Sequence, residues 1–215
     1  MSRIDRRSAS PGPLTRLLLW TARRKTAALT GRETERMLEP IEAYVHSPGL
    51  MMGYGTLEMA AARAHRVDAR TKELAVLKAA TIVHCEFCID IGSSVARRAG
   101  ISDEQLLALH RHRDSGLFSE PEVLVLDLAA AMTRTPVEVP DELYDALREH
   151  FDEAQLVELA NIIALENLRS RFNAALDIGS AGFSEGMVCA VPERTDAIGA
   201  ADPPTPARRP AGARA

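Results

Sequence analysis

Residues 152–176, DEAQLVELANIIALENLRSRFNAAL, run on without a single glycine or proline. IIAL alone would pass for a strand, but its Ala-, Leu- and Glu-rich flanks make it part of one long helix, with a predicted apolar stripe through Leu165, Leu168, Phe172 and Leu176. EVLVL is absorbed in the same way into EPEVLVLDLAAAM. In TKELAVLKAA, Leu74, Leu77 and Ala79 or Ala80 recur at three- and four-residue steps, and Asp68 or Thr71 can accept from the unpaired amides of the first turn. SDEQLLALH starts on Ser102 as N-cap with acids in its first turn, where the helix dipole favours them. PDELYDALREH follows Pro140 as a further helix. No segment requires a sheet, so the expected fold is all-α, a single-domain helical bundle of about eight helices.

Hydrophobic residues make up 46% of the 215-residue chain, enough to fill one sizeable core. The expected organisation is a disordered lead-in over 1–13, an amphipathic helix over 14–30, the main domain over 31–191 and a disordered Pro/Ala/Arg-rich tail over 192–215. LTRLLLWTARRKTAAL can lie on a membrane, with Trp20 and the leucines inward, or pack on the domain or another subunit; packing is the reading favoured here. Its apolar core is too short for a signal peptide, and no apolar run approaches the about 20 residues that span a bilayer. A net charge of -4 offers nucleic acid no basic surplus, so none is expected as partner.

The chemistry is concentrated in HCEFCIDIGS. Cys85, Cys88 and Cys189 are too few, and odd in number, for a secreted disulfide scaffold, which points to a cytoplasmic protein. A lone C-x-x-C without a second ligand pair makes a poor zinc site, so neither metal nor bound cofactor is expected. Thr81, Ile82 and Val83 are β-branched and favour a turn, which sets Cys85 at or just before the start of a helix that Gly100 ends. A thiolate there is stabilised by the dipole, and cysteines three apart come within disulfide reach. If the chain reverses near 82–83, equal counting along the two helices sets Glu73 level with Gly92, one turn beyond Cys88. Glu73 is then a candidate proton acceptor for a thiol, and Gly92 leaves open space beside it. His84 could lower the pKa of Cys85 as imidazolium.

Glu73, Cys85 and Cys88, with eleven and two residues between them, together with KELAVLKAA, IGSSVARRAGIS and ENLRSRFNAALDIGSAGFSEGMV, resemble the alkylhydroperoxidase D-like branch of the carboxymuconolactone decarboxylase superfamily. The resemblance covers about 31–191. It implies an all-helical, homo-oligomeric protein, a trimer or hexamer, that takes a hydroperoxide or disulfide substrate. Cys88 would attack, Cys85 would resolve the sulfenic acid as a disulfide, Glu73 would relay the proton and a cellular dithiol would restore the pair. Gly92 stands where the family motif has histidine. The implied activity is a thiol-dependent peroxidase or dithiol–disulfide oxidoreductase of peroxiredoxin type; the alternatives are a lyase like the family's decarboxylase, or a non-catalytic redox-sensing or interaction protein.

Four further readings concern structure. Asp90 is expected to be a solvated acid, and the His110–Arg113 cluster a solvated helix end. Glu166 and Arg169 form an i,i+3 ion pair lending structural support. Met51, Met52 and Met59 belong to core or subunit contact, with a bend near Gly53 and Gly55.

Overall fold

The structure, a computed structural model, describes residues 2–5 and 11–193. Among these there are helices and connecting loops but no strand. The helices are α1 (Pro13–Thr30), α2 (Glu39–Ala43), α3 (Pro48–Arg63), α4 (Ala69–Val83), α5 (Glu86–Arg98), α6 (Asp103–Ala108), α7 (His112–Ser115), α8 (Glu120–Thr133), α9 (Asp141–Arg148) and α10 (Glu153–Ala175). Their termini follow the expected chemistry. Asp68 caps α4 through the Thr71 amide at 2.9 Å, and Ser102 and Asp152 each form a reciprocal capping box with Gln105 and Gln155.

Helix α4 is the central post, packed on by α5, α8 and α10. Leu74, Leu77, Ala79 and Ala80 are fully buried, as the periodicity requires. One apolar cluster joins α4, α5, α6 and the loop after α10; a second gathers α8, α9 and the first half of α10. On α10 the buried face runs through Leu156, Leu159, Ile163, Glu166, Ser170 and Asn173, while Leu168 of the predicted stripe is exposed. Leu165 of the stripe is buried, and beside it the second half of α10 also turns Glu166, Ser170 and Asn173 inward.

The turn before the cysteines falls later than expected. Thr81 and Ile82 are buried inside α4, so packing outweighs the local preference of β-branched residues. The helix ends at His84, whose φ of 61° is left-handed, while the His84 and Cys85 amides both bond to the carbonyl of Ala80. Cys85 then caps α5 at once: its Sγ accepts from the Cys88 amide at 3.2 Å.

Short described pieces at both ends, 2–5 and 192–193, pack on the domain. Of the lead-in, residues 2–5 lie against the end of α10, with the Arg3 amide bonded to the Leu176 carbonyl at 2.8 Å. Met1, residues 6–10 and the tail beyond 193 lie outside the described residues. Beyond 191, Glu193 is buried, pairs with the buried Lys78 and donates its amide to the Thr81 carbonyl at 3.1 Å. His112 is no solvated end either: it is buried, 2.9 Å from Asp127, which Arg113 also engages at 2.8 Å. Helix α3 is continuous through Gly53 and Gly55, and Met52 and Met59 are exposed on it. Among the described residues no helix is long and apolar enough to cross a membrane.

Candidate active site

The sulfur pair sits where α4 hands over to α5, at the positive end of the α5 dipole. Cys85 and Cys88 are joined as a disulfide, with Cα atoms 5.2 Å apart, and both are buried. Cys88 lines a cavity of about 570 Å³; Cys85 lies behind it, outside the lining. Polar side chains of α10 reach the sulfurs. Ser170 Oγ lies 3.4 Å from Cys88 Sγ, and Asn173 Nδ2 lies 3.5 Å from Cys88 Sγ and 3.6 Å from Cys85 Sγ. Asn173 is buried, and its Oδ1 has no hydrogen-bond partner.

From Ser170 the polar chain continues outward. Its hydroxyl donates to Glu166 Oε1 at 2.8 Å; Arg169 meets Glu166 at 3.2 Å and grips Glu58 of α3 at 2.8 and 2.6 Å. One guanidinium therefore serves two carboxylates, and Glu73 of α4 lines the same cavity as a third. Lys72, next to Glu73, is turned to Glu158 and the Ala64 carbonyl.

The titration behaviour follows from this uneven supply of positive charge. Burial pushes Glu73 up to about 7, helped by the Glu166 charge and opposed by Arg169 and Lys72. Burial also raises Glu166, against the pull of Arg169 and Ser170. For Glu58 burial acts upward too, but the paired bonds from Arg169 outweigh it and hold the carboxyl below its ordinary value. Burial, then the Glu58 charge, raise Tyr54 and keep its phenol protonated.

The rest of the cavity is apolar. Tyr54, Tyr44 and Phe172 form a stacked wall with centroid spacings of 4.7 and 4.4 Å. Val76, Phe87, Ile91 and Ile162 line the interior, while Ala22, Thr26 and Leu29 of α1 close over it. Helix α1 is held there by the Ser94 hydroxyl on the Thr30 carbonyl and by Arg98 on the Ala28 carbonyl.

Glu73 and Cys88 thus share one cavity, as the hairpin argument anticipated. The predicted register is nevertheless shifted, because the turn is at His84. Gly92 lies against Leu77, and a Cβ built on it would come 2.8 Å from Leu77 Cδ2. Gly92 does line the cavity with Glu73 and Cys88, but the direction a side chain would take from it is filled by Leu77. His84 is exposed and outside the cavity lining, where its observed part is to end α4. Asp90 is buried rather than solvated: its carboxylate accepts from the amides of Ala181, Gly182, Phe183 and Ser184 and from the Ser180 hydroxyl, fixing the loop after α10 to α5. Sequence reasoning missed Ser170, Asn173, Tyr54 and Glu58, and gave Glu166 and Arg169 only a supporting part. The available signal was the spacing of Glu166, Ser170 and Asn173, which puts three polar groups on one helix face. Among the described residues no group of three or more His, Cys, Asp or Glu side chains is placed to hold a metal ion.

Comparison with known proteins gives a consistent relationship. The sequence pattern of the carboxymuconolactone decarboxylase family matches residues 48–131, which include Glu73 and both cysteines of the pair. The protein YnjA of Escherichia coli, itself uncharacterized, is 38% identical over 176 residues, covering 80% of this chain and 92% of its own. Among solved structures, the debrominase Bmp8 superposes with a TM-score of 0.69 at 20% identity, over 81% of this chain and 92% of that one. A peroxidase-related protein from Ralstonia eutropha, described as an alkylhydroperoxidase AhpD core, superposes with a TM-score of 0.63 at 15% identity, over 85% and 93%. Both likenesses are of fold.

Proposed function

We propose that this chain, which belongs to the carboxymuconolactone decarboxylase family and has the fold of its alkylhydroperoxidase D-like members, is a thiol-dependent peroxidase acting on neutral, apolar hydroperoxides. The observation that carries this reading is the opening of Cys88, paired with Cys85 at a helix N-terminus, onto a large apolar cavity beside carboxylates with raised pKa. In the reduced protein the Cys88 thiolate attacks the outer oxygen of ROOH. The O–O bond breaks, the sulfur becomes sulfenic acid, and RO⁻ leaves as ROH with one proton. Cys85 then displaces hydroxide from that sulfur, forming the disulfide and water. A cellular dithiol returns two hydrogens and is itself oxidised. Glu73, on the wall of the same cavity, is a second acid that can exchange protons with the cavity near neutral pH. The pairing found here corresponds to the oxidised stage of that cycle.

The cavity's charges argue for a neutral substrate. Arg169 is shared by Glu58 and Glu166, and Lys72 is engaged by Glu158, so a carboxylate would find no free cation among the described lining groups. This disfavours the lyase alternative, whose substrate carries carboxylates. The stacked wall of Tyr54, Tyr44 and Phe172 suits a flat ring, and Bmp8 is a debrominase; a halogenated aromatic is therefore a second substrate for the same dithiol, which would become a disulfide as ArBr becomes ArH, H⁺ and Br⁻. We read the protein as cytoplasmic, where dithiol reductants are supplied, and as a homo-oligomer, trimer or hexamer. Leu17 and Trp20 of α1 and Leu50 and Met52 of α3 are exposed and offer apolar faces for that contact.

The test is mass spectrometry of reduced protein after one equivalent of cumene hydroperoxide, comparing wild type with Cys85→Ser and Cys88→Ser. The expected result is a dithiothreitol-reversible loss of two hydrogens joining the pair in wild type, sulfenic acid trapped on Cys88 in Cys85→Ser, and no peroxide consumption by Cys88→Ser. Thiols left unmodified would reject the peroxidase; bromide release from a bromopyrrole by such a protein would move the assignment to dehalogenation.

A further inference from the structure

Gly92 leaves α5 without a side chain able to take the Cys88 proton, yet a donor–acceptor chain reaches the same sulfur from α10. Ser170 Oγ stands 3.4 Å from Cys88 Sγ and 2.8 Å from Glu166 Oε1, and all three residues are buried. A hydroxyl between a thiol and a carboxylate has only one useful polarity. Once the disulfide is reduced, the Cys88 thiol donates to the hydroxyl oxygen, and the hydroxyl donates to the carboxylate.

We infer that the thiol proton of Cys88 leaves through Ser170 to the carboxylate of Glu166, so that α10 supplies the proton path that α5 lacks. Resting on the reading of Cys88 as the attacking thiol, this makes Ser170 a catalytic residue and Glu166 a positioning residue that holds the proton. In the step the Cys88 S–H bond breaks, Ser170 Oγ takes that proton and passes its own to Glu166, and a thiolate and a carboxylic acid result. The thiolate keeps two donors, the Ser170 hydroxyl and the Asn173 amide, 3.5 Å away. When ROOH is cleaved, the same path run backwards returns the proton to the leaving alkoxide, and Glu166 is ionised again.

The surroundings fit a site that holds a shared proton. Glu166 is bonded to Arg169 and Ser170 on its own helix, feels the charges of Glu58 from α3 and Glu73 from α4, and shares the cavity wall with Tyr54, Lys72 and Cys88. Burial raises both Glu166 and Glu73, the latter to about 7. Raising the Glu166 carboxyl moves it from the ordinary carboxylate value toward that of a thiol, which makes the transfer less uphill than to a solvated acid. Two crowded carboxylates also favour one shared proton over full ionisation of both.

The experiment is the pH profile of iodoacetamide alkylation in the reduced full chain, read peptide by peptide. It uses a Cys85→Ser background, in which serine can still cap α5 and no disulfide can close. Cys189, the free third cysteine, serves as internal reference. Ser170→Ala and Glu166→Gln are each expected to slow Cys88 about tenfold or more near pH 7, within the usual scale of acid–base assistance, leaving Cys189 unchanged. At about pH 10 the rates should converge, because solution base then removes the proton unaided. Glutamine can still accept from Ser170, so a merely structural Glu166 would tolerate it. A profile unmoved by either variant overturns the inference, as does a deficit persisting at high pH, or a loss seen with Glu73→Gln alone. Alkylation needs no hydroperoxide. A protein that keeps this profile yet leaves cumene hydroperoxide intact would lose the peroxidase assignment and keep the relay.

Discussion

Asp90 and Glu166 are equally hidden acids, at 5% and 2% exposure, on the two helices whose side chains meet at the sulfur pair; the fold treats them in opposite ways. Burial tends to raise both. Around Asp90 the hydroxyls of Ser184 and Ser180 and the backbone amides of the loop outweigh burial, and its carboxyl lies below the usual range. Around Glu166 the donors are one hydroxyl and an arginine already shared with Glu58, so burial wins and its pKa rises. A buried acid with donors in excess is a fastener; one with donors in deficit is a place to keep a proton. Two ways of removing the charge separate these cases.

The largest expected effect is on the fastener. Asp90→Ala strands several buried donors at once and should cost about 3–5 kcal/mol in urea unfolding, with Asp90→Asn losing roughly half of that. Glu166→Gln should stay within about 1 kcal/mol of wild type, because Arg169 keeps Glu58 and the repulsion from Glu73 is relieved. The pH sign follows from the depressed carboxyl of Asp90. Its contribution is complete above the unfolded value of about 3.9 and is lost as pH falls through the lower folded value. Equal losses for Asp90→Ala and Glu166→Gln would erase the distinction.

Glu73 sharpens the comparison from the other side, with a smaller effect. Its folded pKa, about 7, lies above the ordinary 4.5. The folded state therefore binds the proton more tightly, and the stability so gained is present below about pH 4.5 and lost as pH rises through about 7. Wild type should lose about 1–2 kcal/mol relative to Glu73→Gln between pH 5 and pH 8, a figure reduced from the full shift because the Glu73 side chain is only half-buried. Parallel stability curves for the two proteins would mean that Glu73 is solvated and holds no proton in reserve.

How far these differences could be read in advance depended on where the energy lies. The helices of the main domain were legible because capping and periodicity are local: Asp68, Ser102 and Pro140 announce starts, and Leu74 and Leu77 mark an inward face. The Glu73–Cys88 neighbourhood was legible for the same reason, since a helical hairpin fixes it to within a turn. The partners of Asp90 lie 90 to 94 positions away and are mostly backbone amides, which carry no residue signature. The short helices α2 and α7 had no period to display. On α10 the polar stripe was visible in the letters, yet Glu166 and Arg169 at i,i+3 suggest a surface pair until tertiary packing buries Glu166 and leaves Arg169 half-buried.

Gly92 supplies the finest test, because there the sequence-based register and the structure part company. With the turn at His84, Gly92 packs on Leu77 of α4, and a methyl group would sit 2.8 Å from Leu77 Cδ2. Leucine can swing a terminal methyl aside, but Leu77 has no exposed surface and hence little room to do so. Overpacking costs about 1–3 kcal/mol, against a helix-propensity gain of about 1 kcal/mol from removing the glycine. Gly92→Ala should therefore destabilise by about 1 kcal/mol, and Gly92→His, which restores the family's residue, by more. Adding Leu77→Ala to Gly92→Ala should cost less than the sum of the two single losses, since each relieves the other's misfit. Strict additivity, or a stabilised Gly92→Ala, would mean that open space does lie beside Gly92. A histidine could then be accommodated on α5, and the reason for a proton path on α10 would be chemical rather than steric.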